Sequence, residues 1–286
     1  MTAVDAALAA AVLFAVGLLV GSFLNVVIHR LPKMMERRWA AECAELHGDA
    51  GAETSTTQQE PFNLMVPRSR CPQCGHAIRW FENIPVLSYI FLKGRCSECS
   101  TPISARYPLI ELTTGVLFAW CGWRWGLTPT ALVWSGFAAA VLSLAAIDWD
   151  TTLLPDDITL PLVWAGLCAA ALGLIDTSLP RALWGAVAGY LSLWLVYWAF
   201  KLTTGKEGMG YGDFKLFAAL GAWFGWQALI PMILMASVIG ALVGILLKVF
   251  SQLRDGGYVP FGPFLALAGL TALFFGPESI LAVIGL

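Results

Sequence analysis

Charge is what this sequence has least of. Asp, Glu, Lys and Arg make up only 13% of its 286 residues, against roughly 25% in ordinary globular chains. Between Leu216 and Leu247 there is no charged residue, and between Pro108 and Ile147 there are only Glu111 and Arg124. Uncharged apolar runs of about 18 residues or more read as membrane spans. With a mean hydropathy of +0.72, a soluble globular domain is excluded. The net charge of −2 says nothing about partners in a chain divided between lipid and water, and nucleic-acid binding has no support, since the one basic, soluble stretch is explained by topology. The first apolar run, Ala6 to Ile28, has Asp5 before it and no Lys or Arg. It also lacks a small-residue cleavage site followed by a polar mature domain, and it predicts a retained span rather than a signal peptide.

What is present is a series of apolar segments around one polar region. Spans are predicted at 6–28, 108–125, 129–147, 159–175, 182–200, 214–226, 229–247 and 261–283. Turn chemistry separates several of them, at Gly126–Pro129, Asp176–Pro180 and Arg254–Gly257. The run 216–247 reads either as one long helix or as a hairpin turning near Gly225–Gln227. The hairpin, with the N-terminus outside, puts fifteen of the seventeen Lys and Arg on the inner side and leaves only Arg124 and Arg181 outside. The positive-inside rule therefore selects it. Both termini are expected outside, and Arg30–Tyr107 in the cytoplasm. Within that region the first half of Glu36–Glu60 reads as a short helix, and Gly48–Gln59 as a linker.

Four of the seven cysteines are grouped as Cys71-Pro-Gln-Cys74 and Cys96-Ser-Glu-Cys99. Two such knuckles present four thiolates to one ion, the pattern of a structural tetrahedral zinc site with no open coordination position. Gly75 and Gly94 are read as permitting the backbone turns. A pair of disulfides is the competing reading, which a cytoplasmic location disfavours. Cys43, Cys121 and Cys168 are isolated and carry no expected role. His76 is left out of the ligand set.

Carboxylates form the second constellation. Asp148 and Asp150 close the third span, Asp156 and Asp157 open the fourth, Asp213 ends Gly208-Met-Gly-Tyr-Gly-Asp, and Glu111 begins the second. Ionisable groups at a membrane bundle are costly and functional by default. Two carboxylates brought together share a proton, so that one activates water while the other polarises a carbonyl. The glycines before Asp213 permit close backbone approach. For Asp156 and Asp157, helix capping is the favoured role. The Gly205–Gly212 stretch lacks the Gly-Lys-Ser/Thr ending of a P-loop.

These residues resemble a known family, the type IV prepilin peptidases, which are bifunctional leader peptidases and N-methyltransferases. The resemblance covers nearly the whole chain: Gly21–Pro32, both CxxC pairs, Arg106–Leu112, Ile147–Asp156, Gly208–Lys215 and Pro260–Phe264. The GxGDxK element is the most specific and is shared with the wider class of membrane aspartic proteases. In the family the catalytic pair is the Asp seven residues before the loop proline and the Asp of GxGD. Here these are Asp148, seven before Pro155, and Asp213, with Asp150 as rival for the first role. The resemblance further implies prepilin or pseudopilin substrates and methylation of the new N-terminal amine with S-adenosylmethionine. No fingerprint for that donor is visible in the residues.

The expectation is an all-α polytopic membrane protein of about eight transmembrane helices with a small cytoplasmic module, zinc-ribbon-like and built on the four paired cysteines. The chain divides into a first span (1–29), a zinc-binding region (30–107) and a peptidase bundle (108–286). It belongs in a bacterial inner membrane with its active site facing the cytoplasm. A peptidase without methylation and a proton-coupled transporter are the alternatives. The transporter is disfavoured because the aspartates fall at one face and the two halves show no internal repeat.

Overall fold

The computed structural model describes residues 2–46, 61–206, 208–250 and 259–284. Among them all extended regular structure is helical, as a bilayer demands of a chain that must satisfy its backbone internally. The chain forms two compact units, residues 1–127 and 128–286.

The first unit is built on helices α1 (Ala3–Leu46) and α3 (Arg106–Trp125), with the short α2 (Leu87–Phe91) between them in sequence. Small residues let α1 and α3 lie close and antiparallel. A Cβ on Gly21 would sit 2.6 Å from the Glu111 Cα, one on Gly17 2.8 Å from the Phe118 Cβ, and one on Gly122 2.7 Å from the Ala9 carbonyl. Such small-residue seams are how helices associate where no hydrophobic force separates them from lipid. Asn25 Nδ2 donates to the Tyr107 carbonyl at 3.1 Å and closes the end of the seam.

Helix α1 departs from expectation. It runs without interruption through Pro32 to Leu46, where the sequence suggests a span ending near Ile28 and a separate short helix. Arg30 is buried, and its guanidinium donates to the carbonyls of Asn63 (3.0 Å) and Pro67 (2.7 Å). The predicted linker Gly48–Gln59 and the turn Arg254–Gly257 lie outside the described residues.

The second unit contains α4 (Pro129–Thr151), α5 (Asp156–Ala171), α6 (Leu179–Thr204), α7 (Tyr211–Phe224), α8 (Leu229–Val249), α9 (Gly262–Phe275) and α10 (Pro277–Ile284). Thr128 caps α4, its Oγ1 accepting from the Ala131 amide at 3.3 Å, with Pro129 in the first turn. Helix α7 is the core element, with every residue from Leu216 to Trp223 buried. Trp134, Phe137, Trp223 and Phe224 stack into one cluster with centroids 4.7–5.5 Å apart. The Trp223 indole donates to the Leu162 carbonyl at 2.9 Å, which satisfies its one polar atom inside the core. Gly185 of α6 and Gly221 of α7 face each other so closely that a Cβ on either would run into the other's carbonyl.

The alternative of one long helix over 216–247 is excluded. Helix α7 stops at Phe224, Gly225 takes φ +84°, a 3-10 turn spans Trp226–Ala228, and α8 begins at Leu229. The number of membrane-length helices is smaller than the eight predicted spans. Among the described residues, four helices are long and apolar enough to cross: Ala3–Leu46, Pro129–Thr151, Leu179–Thr204 and Trp226–Val249, with Gly262–Phe275 a shorter apolar helix. Helices α5 and α7, with 16 and 14 residues, reach only about 24 and 21 Å at 1.5 Å per residue. A hydrocarbon core is about 30 Å thick. Helix α3 has the length, but it carries Arg106, Glu111 and Arg124.

Candidate functional site

The two aspartates arise at opposite kinds of helix end. Asp148 lies in the last turn of α4 and Asp213 in the first turn of α7. Both are buried, at 4% and 7% exposure, whereas Asp150 is exposed. Leu154, in the loop after α4, explains how the two helix ends meet. A Cβ on Gly212 would lie 2.6 Å from the Leu154 Cβ, and one on Gly262 would lie 3.2 Å from Leu154 Cδ1 and 2.6 Å from Asp148 Oδ2. The GxGD glycine and the first residue of α9 thus close on the same leucine. Asp213 Oδ1 is buried and has no hydrogen-bond partner among the described residues.

Asp156 and Asp157 open α5, where the helix dipole favours their charge. Neither supplies the expected cap, since Pro155 occupies the cap position without a side-chain hydrogen bond. Asp156 instead takes the Lys215 ammonium on both oxygens, each at 2.6 Å. This pair joins the starts of α5 and α7, the latter two residues beyond Asp213.

In the other unit the four cysteines meet as their spacing suggests. The Sγ atoms of Cys71, Cys74, Cys96 and Cys99 all lie within 4.8 Å of one another, with Cys71–Cys99 at 3.7 Å and Cys74–Cys96 at 4.0 Å. Tetrahedral zinc with bonds of about 2.3 Å needs sulfurs about 3.8 Å apart, so the donor set fits. All four are free thiols, which disposes of the disulfide alternative.

The two knuckles repeat one another. Cys71 N–H donates to the His76 carbonyl and Gly75 N–H to Cys71; Cys96 N–H donates to Thr101 and Ser100 N–H to Cys96, all at 2.9–3.0 Å. Gly75 takes φ +72°, and its counterpart is Ser100 at φ +56°. Gly94, just before the second knuckle, also turns left-handed at φ +67°, and its N–H closes the exit of α2 on the Tyr89 carbonyl at 2.8 Å.

His76 does not join the sulfurs. Its Nε2 lies 3.1 Å from Glu82 Oε2, the same oxygen that accepts the Arg79 N–H at 2.8 Å. The Arg79 amide, then Ser97 and His76, draw the Glu82 carboxyl down to about 2. Thr101, through its hydroxyl and its amide, lowers Cys99 to about 6, which supplies a thiolate near neutral pH. Glu111, singled out from sequence, accepts the Val86 N–H at 2.8 Å and so ties α3 to the loop before α2.

Sequence reasoning missed one member of the carboxylate site. Gly262 N–H donates to Asp148 Oδ2 at 2.9 Å. The only signal was a glycine held between Pro260 and Pro263.

A buried aspartate pair in a helical membrane unit, joined to a four-cysteine module, defines the class of a membrane-embedded peptidase. The comparisons with known proteins agree. Residues 15–125 match the Bacterial Peptidase A24 N-terminal domain and residues 135–245 the Type IV leader peptidase family. The prepilin leader peptidase/N-methyltransferase of Burkholderia pseudomallei (strain 1026b) is 54% identical over 94% of this chain and 86% of its own length. The proteins of the same name from Pseudomonas aeruginosa and Aeromonas hydrophila are each 52% identical over 92% of this chain and 89% of theirs. The chain belongs to the type IV leader peptidase family. No solved structure matches it significantly.

Proposed function

We propose that this chain removes the short basic leader of type IV prepilins and pseudopilins, using Asp148 and Asp213 as its catalytic pair. It then methylates the new N-terminal amine with S-adenosylmethionine. The observation that carries the peptidase half is the pair of buried carboxylates at the ends of α4 and α7, which close on the same Leu154. Two like charges so close cannot both ionise cheaply, so the pair holds one proton. The ionised member takes a proton from water as that water attacks the scissile carbonyl, and the protonated member polarises the carbonyl oxygen. No covalent intermediate is required. The burial of Asp148 against the Gly262 amide, with Asp150 exposed, supports Asp148 over it.

The methyltransferase half is supported by the name its relatives carry. The four cysteines bind zinc as a structural ion: four thiolates fill a tetrahedral shell and leave no position for substrate. The chain lies in the inner membrane of a bacterium, crossing it eight times with both termini outside. The zinc-binding region 30–107 lies between the first span and the peptidase bundle 108–286. That topology keeps a basic prepilin leader and both aspartates on the cytoplasmic side.

Purified protein incubated with a membrane-inserted prepilin, with and without S-adenosylmethionine, tests both halves when the product is weighed. Leader loss in both samples, with one added methyl group only in the second, is expected. An intact prepilin contradicts the peptidase reading, and a cleaved but unmethylated product contradicts the methylation.

A further inference from the structure

Asp148 and Asp213 meet the protein differently. Asp148 Oδ2 accepts the N–H of Gly262, the first residue of α9. That helix end has little else to offer: Pro263 carries no N–H, and the Phe264 N–H is bound to the Phe261 carbonyl at 3.1 Å. The approach needs a glycine, because a Cβ at 262 would lie 2.6 Å from Asp148 Oδ2 and 3.1 Å from its Cγ. An amide at a helix N-terminus favours an anion. Asp213 has a backbone hydrogen bond from Gly210, but its Oδ1 is buried and bare. A carboxylate with an unpartnered buried oxygen is the costlier anion of the two.

Neighbouring charges do not reverse this order. Among the described residues the packed helices carry Asp150 on α4, Asp156 and Asp157 on α5, Arg181 and Lys201 on α6, Lys215 on α7, Lys248 on α8 and Glu278 on α10, while α9 carries none. Lys215, the cation nearest Asp213 in sequence, is held by Asp156.

We infer that the shared proton rests on Asp213 Oδ1, and that Asp148, fixed by the Gly262 amide, is the carboxylate that activates water. This assignment rests on the peptidase reading above and divides its two roles. Water adds to the scissile carbonyl carbon as Asp148 takes one of its protons, and the Asp213 proton passes to the carbonyl oxygen. The product of that step is a gem-diol, with Asp148 neutral and Asp213 ionised. When the C–N bond breaks, Asp148 returns its proton to the leaving nitrogen and a diol hydroxyl returns one to Asp213. The products are an amine and a carboxylic acid, and both aspartates regain their starting states. Gly262 touches no reacting atom and is a positioning residue.

The test compares Asp148→Asn, Asp213→Asn and Gly262→Ala in the full-length protein with a membrane-inserted prepilin. Asn at 213 is still a neutral hydrogen-bond donor, whereas Asn at 148 cannot accept a proton from water. Asp213→Asn is therefore expected to cleave at least about tenfold faster than Asp148→Asn. Gly262→Ala displaces the Asp148 carboxylate, so kcat falls by about 10- to 100-fold with KM unchanged. The acidic limb of kcat moves to higher pH, because an anion that loses its donor protonates more readily. A merely structural glycine would not move that limb. Cleavage by Asp148→Asn equal to or faster than that by Asp213→Asn overturns the assignment while leaving the peptidase reading intact. So does an unmoved acidic limb in a folded Gly262→Ala protein. If that variant does not fold, the two aspartate variants decide alone. Wild-type cleavage by both would instead end the two-aspartate mechanism on which the assignment rests.

Discussion

Between Pro61 and Ala105 only Pro85 is buried, whereas in α7 every residue from Leu216 to Trp223 is. Both regions must hold ionisable groups in fixed positions, the four thiols in one and Asp213 in the other. The cysteine segment has no apolar core to do it. Its knuckles are held by a few backbone hydrogen bonds, by Glu82, and by whatever ion the sulfurs bind. Helix α7 holds Asp213 mainly by packing: the aromatic cluster at its far end, the glycine contact with α6, and Gly212 against Leu154. If the sulfurs hold zinc as proposed, one region is expected to respond to chelators and the other to changes in side-chain volume.

The largest way to break that comparison is to take the metal away. Structural zinc in small Cys-rich modules contributes an apparent 10–16 kcal/mol or so. Chelation, or Cys71→Ser, should unfold the 61–105 segment and leave the second unit folded. Limited proteolysis should then cut between Arg68 and Arg106, and zinc analysis should show the loss. A segment that stays protease-resistant without metal would mean that its backbone network suffices.

A smaller effect sharpens the other side. Gly221→Ala forces a methyl group into the Gly185 carbonyl, and overpacking of this kind costs about 1–3 kcal/mol. Thermal unfolding in detergent should register the loss with zinc content unchanged. An unshifted transition would mean that α6 and α7 separate without cost.

Smallest is the Lys215–Asp156 pair, which is partly open to solvent. Lys215→Met should cost about 0.2–1 kcal/mol, the range of exposed ion pairs. A loss well above that, in the same unfolding measurement, would show the pair to be shielded from water.

The difference between the regions also explains what the sequence made legible. The cysteine cluster was readable because each knuckle is local: four residues set two sulfurs, and only the pairing of knuckles is long-range. Even there, Ser100 in the left-handed conformation was hidden, since a glycine is the usual signal for it and Gly94 stood nearby. The aspartates were readable as costly charges at the edges of apolar runs. Gly262 was not, because its contact with Asp148 exists only once α9 has packed against α4. The continuation of α1 was masked by the change to basic residues after Ile28, where the apolar run ends. Hydropathy marks α5 and α7 as apolar runs but does not report how far each helix reaches.

The central claim is that Asp148 and Asp213 act as one catalytic unit. Its most direct measurement is the rate of leader cleavage by Asp148→Asn, Asp213→Asn and the double variant, each with verified fold and zinc content. Groups that act as a unit are strongly non-additive. Each single substitution should remove most of the cleavage, and the double variant should be little worse than the weaker single one. Near-wild-type cleavage by either single variant, or losses that multiply in the double, would contradict a shared two-aspartate centre.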